Sequence, residues 1–215
     1  MTISVDTTIE YPVLCFQGMG LDPHLLTIIL TCLKSGQIKR VLEFGSGSST
    51  QFLLSMREKF NLDYSIDSFD HDEEHCFKAQ KDYEKFELKI RKFIQYSDSE
   101  FSQILQGNDI PPGIEVPVES YGKFRMKNVF YDVKDTDLTG HYDLVILDGP
   151  NGNGRSVCFN HISKHLKKGS VIVIDDYHHH PYMQHCQKLI NTRMVRVVNF
   201  FDFHPLHGYA ILEVV

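Results

Sequence analysis

Two apolar runs in this chain end in acids. "YDLVILD" closes on Asp148, and "GSVIVIDD" closes on Asp175 and Asp176. If those runs are neighbouring strands, three carboxylates crowd one edge and push one another's proton affinity up. A hard divalent cation relieves that conflict, because oxygen-only donors suit Mg²⁺. Asp148, Asp175 and Asp176 are therefore candidate metal ligands, and Asp148 is a candidate catalytic residue as well. Tyr177 and the histidines 178, 179 and 180 follow at once. His178 or His179 is suited to take a proton from an acceptor, since imidazole titrates near neutrality; solvated loop histidines before Pro181 are the competing reading. Tyr177 and Arg155 are the candidate substrate residues. Arg155, in "DGPNGNGR", would hold an anionic group through its paired donors or else serve a structural salt bridge.

A second stretch bears on ligand binding. "VLEFGSGSST", Val41 to Thr50, runs from strand-like residues into small ones. A turn without Cβ atoms lets a ligand lie against backbone N–H groups at a helix start. The strand–GxG–helix pattern is weak alone, being shared by nicotinamide enzymes, flavoproteins and methyltransferases. Three details narrow it. Thr50 stands where the third glycine of a dinucleotide fingerprint belongs. Glu43 puts a carboxylate where a pyrophosphate would be repelled. Asp70 closes the next strand, about 25 residues after Gly45, where it can accept from ribose hydroxyls.

The elements needed to position these groups can be read in order. Asp22-Pro23 starts a helix through Leu25, Leu26, Ile29, Leu30 and Leu33 that stops near Gly36. A strand spans Arg40–Phe44, a helix Ser49–Lys59 and a strand Tyr64–Phe69. Asp72 caps a helix ending near Phe86, and Leu88–Tyr96 returns as a strand. Residues 107–139, with Pro111-Pro112-Gly113 and Pro117, read as an insertion containing two extended pieces: a lid, a substrate wall or an oligomer contact, as in a homodimer. Its aromatic residues Tyr121, Phe124, Phe130 and Tyr131 would line an acceptor pocket or pack under a lid. Then come a strand Tyr142–Leu147, a helix Ser156–Leu166, a buried strand Val171–Ile174, a helix Pro181–Asn191 and a terminal hairpin. Strand and helix thus alternate five times before the hairpin, which means an α/β fold with a doubly wound, mostly parallel sheet of seven strands. In such sheets ligands sit at the C-terminal strand ends.

Bulk properties agree with a single domain. The 215 residues are 42% apolar and 23% charged, as in ordinary globular proteins. A net charge of −6 and scattered Lys/Arg argue against nucleic acid as a partner. The five cysteines form no CxxC pair and read as reduced packing thiols without a zinc site. "MTISVDTTIEYPVLC" is no signal peptide, and Leu25–Leu33 is too short to span a bilayer, so a cytoplasmic protein without membrane association is expected.

The motifs together resemble the class I S-adenosylmethionine-dependent methyltransferases. "VLEFGSGSST" and "SIDSFDHDEEH" look like their first two motifs, "YDLVILDGP" and "GSVIVIDDY" like their fourth and fifth strands, and the hairpin like their antiparallel last strand. The resemblance covers about Asp22 to Val215, leaves 107–139 unmatched, and implies a Rossmann-like methyltransferase fold. It implies that Gly45 and Gly47 approach the methionine part of the cofactor, with Ser46, Ser49, Thr50 and Asp148 around it. Glu43 would face the ammonium or order the loop, Asp70 would hold the ribose, and Asp98 (or Asp132) would meet the adenine amine. The acidic trio is similar to the metal site of catechol-, caffeoyl-CoA- and macrocin-type O-methyltransferases. This implies a Mg²⁺-assisted methyl transfer to a hydroxyl of a small-molecule acceptor, with the metal lowering the pKa of that hydroxyl. "GPNGNGR" departs from those families and resembles loops of relatives with no demonstrated metal need, in which the aspartates hydrogen-bond backbone or cofactor, so a metal-free site stays open beside the Mg²⁺ one. Two other readings stay open: a non-catalytic cofactor-binding subunit, and a nicotinamide-dependent oxidoreductase.

Overall fold

The computed structural model describes residues 21–74, 76–78, 82–106, 128–150, 153–176, 195–204 and 207–215. Asp22 and Pro23 begin the first helix for the reasons their types suggest. The Asp22 carboxylate accepts from the His24 N–H at 2.7 Å, and the proline occupies a position with no N–H bond to lose. This helix, α1 (Pro23–Lys34), buries Leu25, Leu26, Ile29, Leu30 and Leu33 along one face. Then follow β1 (Arg40–Phe44), α2 (Ser48–Lys59), β2 (Ser65–Asp70) and β3 (Phe86–Ile90). Beyond these lie β4 (Phe93–Gln95), α3 (Asp98–Gln106), β5 (Val129–Tyr131) and β6 (Leu144–Leu147). A short α4 (Cys158–Ile162) sits between 3₁₀ turns at Asn153–Val157 and Ser163–His165, before β7 (Val171–Asp175) and the hairpin β8 (Val195–His204) and β9 (His207–Val214).

The main sheet has seven strands in the order β3-β2-β1-β6-β7-β9-β8. Its first five are parallel, while β9 runs antiparallel to β7 and β8. This is the doubly wound sheet with a terminal hairpin that the alternation predicts. Successive strand residues feed opposite faces, as the two-residue period requires. Val41, Leu144, Ile146 and Val173 pack with α1 and α2, whereas Leu42, Phe44, Val145, Leu147 and Ile174 pack with Phe101 of α3 and Cys158, Phe159 and Ile162 of α4. The chain winds from β1 outward to β3 and then returns to place β6 on the other side of β1. The strand order therefore reverses between β1 and β6, which is where such sheets open a crevice for ligands.

Several sequence boundaries are corrected. Asp72 caps a single turn, accepting from Glu74 N–H at 2.8 Å, and Phe86 opens β3 instead of ending a helix. The single strand expected over Leu88–Tyr96 is two, because β4 leaves the main sheet and pairs antiparallel with β5. The expected Ser156–Leu166 helix is α only at Cys158–Ile162. The helix expected over residues 181–191 lies outside the described residues, as do 107–127 of the segment read as an insertion. Its end, in contrast, is core: Phe130 and Tyr131 are buried in the cluster under α3 and α4. Cys32, Cys76 and Cys158 are free thiols. Among the described residues no helix is long and apolar enough to cross a membrane.

The loop after β5 is tied back to β3 by one acid. Asp137, 7% exposed, accepts from Arg91 Nε at 2.9 Å and Nη2 at 2.5 Å, and from the Lys134 N–H at 2.8 Å. Lys89 donates to its carbonyl at 2.7 Å. The Arg91 guanidinium holds the Asp137 carboxyl below the usual carboxylate range. Its contribution to stability is therefore present above the unfolded value of ~3.9 and is lost as pH falls through the lower folded value. Asp137→Asn is expected to cost about 2 kcal/mol at pH 7. Urea unfolding of parent and variant at pH 7 and below pH 4 checks this: the gap between them should close in acid.

Candidate functional site

The switch point between β1 and β6 begins with a turn that only glycine tolerates. Gly45 has φ +100°, and a Cβ there would lie 3.0 Å from the Gly149 nitrogen. The β1 loop and the β6 loop thus touch backbone to backbone, with Gly45 N–H donating to Phe69 O and Asp148 N–H to Phe44 O, both at 2.9 Å. Gly47 differs, since its φ of −168° is ordinary extended backbone and a Cβ there would meet nothing within 4 Å. That side of the loop faces open space.

Glu43 braces this loop from beneath. It is fully buried, and its Oε2 accepts from the hydroxyls of Thr50 in α2 at 2.5 Å and Ser68 in β2 at 2.7 Å. Thr50 Oγ1 also accepts from the Gly47 N–H at 3.1 Å and contacts Ser46 Oγ at 3.1 Å. Burial pushes the Glu43 carboxyl above its ordinary value, against the lowering effect of the Ser49, Ser68 and Thr50 hydroxyls. Among the described residues Glu43 Oε1 has no hydrogen-bond partner. A buried carboxylate oxygen left without a donor at a loop of this shape is poised for a ligand donor.

Asp70 ends β2 against the same loop. Its Oδ2 accepts from the Ser46 N–H at 2.7 Å, and its Oδ1 from the N–H groups of His71 at 2.7 Å and Asp72 at 3.0 Å. Each carboxylate oxygen can accept twice, so Oδ2 retains capacity for a ligand hydroxyl. His71 stacks on Phe93 with ring centroids 4.0 Å apart, forming an aromatic wall beside it. Asp98 opens α3, whose start carries a capping box: Glu100 accepts from Ser97 N–H at 2.8 Å while Ser97 Oγ accepts from Glu100 N–H at 3.2 Å. Asp98 Oδ1 accepts from Asn128 Nδ2 at 2.7 Å, and Asn128 O accepts from Tyr96 N–H at 2.8 Å. Asp132, the alternative to Asp98, is instead paired with Lys134 at 2.5 Å.

The three acids at the other lip do converge. Leu147 and Ile174 pair in register, so Asp148 and Asp175 emerge side by side, with Asp176 next in a positive-φ turn. Burial first, then the Asp175 charge, pushes the Asp148 carboxyl well above its ordinary value; burial and Asp176 push Asp175 the same way. Among the described residues, however, no group of three His, Cys, Asp or Glu side chains is arranged to hold a metal ion. The charge is met from below by Arg155, 2% exposed. It donates to the carbonyls of Asp148 and Asp175 at 2.8 Å each and of Pro150 at 3.2 Å, and lies 3.5 Å from Asp176 Oδ2. This guanidinium offsets part of the charge of the three acids, while Asp148 and Asp175 still stand above their ordinary values. Arg155 also sits under the site instead of in the cleft where an acceptor's anionic group would meet it.

Glu43, Gly45, Ser46, Gly47, Ser49, Thr50, Asp70, Asp98, Asp148, Asp175 and Asp176 thus all line or support the C-terminal ends of the strands. Tyr177, His178 and His179 lie outside the described residues. Sequence reasoning missed Asn128, the burial of Arg155 and the reach of Tyr131 toward Gly149. Only the Ser97-x-x-Glu100 capping box carried a readable signal for its surroundings.

A doubly wound sheet, a glycine loop without a third glycine at its switch point and acids at the ends of β1, β2 and β6 are the features of enzymes that use a nucleoside cofactor. The family model for a methyltransferase domain matches residues 42–177, so this chain belongs to that methyltransferase family. Comparison with curated proteins gives no match. Among solved structures the chain is similar to a putative caffeoyl-CoA O-methyltransferase from Staphylococcus aureus, at 15% identity over 91% of this chain and 85% of that one, with TM-score 0.51. It is also similar to the O-methyltransferase TomG from Streptomyces achromogenes in complex with SAM, at 14% identity over 92% and 82%, TM-score 0.51. A third is cmcI-D160 with Mg-SAM, at 14% identity over 90% and 72%, TM-score 0.51. At such identities the likeness is one of fold.

The two loop glycines should respond differently to a methyl group. Gly45→Ala forces positive φ and a backbone overlap, and is expected to cost more than about 1 kcal/mol. Gly47→Ala, in extended backbone beside open space, is expected to stay within about 0.5 kcal/mol. Thermal unfolding of both variants decides, and equal losses would contradict this account of the loop.

Proposed function

We propose that this chain transfers the methyl group of S-adenosylmethionine to a hydroxyl of a small-molecule acceptor. The observation that carries the reading is the seam at the switch point. There the Gly45 loop, with the unpartnered Glu43 oxygen below it, faces Asp148 across the gap between β1 and β6. The residues fit that cofactor: open space at Gly47 for its methionyl part, Asp70 for ribose hydroxyls, and Asp98 at the start of α3 for the base. TomG, similar in fold, was solved with SAM. When bound, the cofactor supplies an electrophilic methyl carbon.

The chain's own groups supply the rest. Glu43, Thr50 and Ser68 fix the loop, and the acids at the strand ends favour a cationic ligand while opposing a pyrophosphate. In this reading Asp148, at the end of β6, takes the proton of the acceptor hydroxyl once its own carboxyl is ionised. Holding the acceptor in line with the methyl carbon accounts for most of the remaining acceleration. Arg155 supports a route without a divalent ion, because it offsets part of the charge of the acids that would ligate one. This reading routes no step through magnesium, although cmcI-D160, similar in fold, carries Mg-SAM.

Calorimetric titration with S-adenosylhomocysteine tests the cofactor, and absence of binding at millimolar concentration would overturn it. NADH fluorescence quenching would favour the oxidoreductase instead. Asp148→Asn is expected to bind the cofactor yet slow methyl transfer by about 10²-fold. Turnover by both in equal measure would point to a non-catalytic role for that acid. Transfer should survive EDTA unchanged, and loss restored by Mg²⁺ would show that an ion displaces Arg155's charge from its role.

A further inference from the structure

Asp98 is exposed at the start of α3, a position from which a short acid ordinarily points to solvent or turns back to its own helix. Here a distant residue holds it. Asn128, 30 residues on, donates its side-chain amide to Asp98 Oδ1 at 2.7 Å. Chemistry fixes the direction of that bond, since a carboxylate only accepts and an amide nitrogen only donates. Asn128 is itself fixed. It is 3% exposed, its φ of +55° belongs to the left-handed region that asparagine tolerates, and its carbonyl accepts from Tyr96 N–H at 2.8 Å. β5 follows at once, pairing Val129 with Gln95, and the Gly154 backbone lies so close to Val129 O that a Cβ would overlap it. A buried amide, held on several sides, thus dictates where an exposed carboxylate points.

We propose that Asn128 is a positioning residue: its amide orients the Asp98 carboxylate toward the exocyclic amine of the cofactor's adenine, so that the site prefers a 6-amino purine to a 6-oxo one. The inference rests on the reading of the cofactor given above. The ribbon of β4 and β5 supplies the span. β4 starts beside the ribose acid, because Arg91 N–H donates to Asp70 O at 2.7 Å and His71 stacks on Phe93. Its three residues cover about 10 Å at the rise of a strand, the reach of a nucleoside from ribose hydroxyls to base edge. Asp98 and Asn128 stand together at the far end. A carboxylate there accepts from the N–H groups of an amine, whereas a 6-oxo group offers it only lone pairs and repels it. Because Asn128 removes the rotational freedom of Asp98, the amine meets a carboxylate already set, and binding loses less to side-chain ordering.

Calorimetry on the full chain would compare S-adenosylhomocysteine with S-inosylhomocysteine, which carries a 6-oxo group in place of the amine. The parent is expected to favour the adenosyl ligand by about tenfold or more, as one hydrogen bond to a charged group predicts. Asn128→Gly keeps the positive φ unstrained and removes the amide. It is expected to bind S-adenosylhomocysteine about tenfold more weakly and S-inosylhomocysteine unchanged. Asn128→Asp keeps the shape, replaces the donor with an acceptor and should show the same selective loss, so a folding defect in one variant leaves the other to decide. An equal loss for both ligands, an unaltered preference, or a parent that binds both alike overturns the proposal while leaving the cofactor reading intact. A parent chain that binds neither ligand removes both.

Discussion

The backbone contact between Gly45 and Gly149 governs the arrangement of everything around it. It joins the end of β1 to the end of β6 at the one place where the strand order reverses, and it does so with no side chain between them. Each neighbouring group takes its position from that closeness. Glu43 lies two residues back along β1, Asp148 one residue before Gly149, and Asp70 reaches the loop through Ser46 N–H. A larger residue at either glycine would part the two loops and separate the acids from the cradle they share.

Charge is handled by enclosure. Glu43, Asp148 and Asp175 are all driven toward their protonated forms by burial, a cost that folding alone would not favour. The chain answers with hydroxyls at Glu43 and with a guanidinium at the other acids. Arg155 makes the second answer by binding main-chain carbonyls, so its charge is fixed in place by the same bonds that hold the ends of β6 and β7 together. Such a group is at once structural and electrostatic, and neither effect can be altered without the other.

The parts of this protein legible in its sequence are those governed by local rules. Asp22-Pro23 announces a helix, the glycine loop announces a turn, and apolar runs of four or five residues announce buried parallel strands. Adjacency of Asp148 and Asp175 followed from strand order. What stayed hidden depends on distant partners. Nothing near Phe93 says that β4 abandons the main sheet, because its partner β5 lies beyond residues 107–127. Arg155 reads as an anion binder until its carbonyl partners, set by the packing of two strand ends, are known. Tyr131 reads as one aromatic among several until Gly149 is placed beneath its hydroxyl.

Asn128 closes the ends of the segment that precedes it. With 3% exposure, it bonds Asp98 at the start of α3 through its amide and Tyr96 through its carbonyl, so β4, α3 and β5 are fastened together at that point. The entropy of joining two fixed anchors rises only slowly with the length of chain between them. The two anchors, the end of α3 and the start of β5, are therefore fixed by the scaffold itself, so a change in the number of residues that join them is expected to cost that scaffold little.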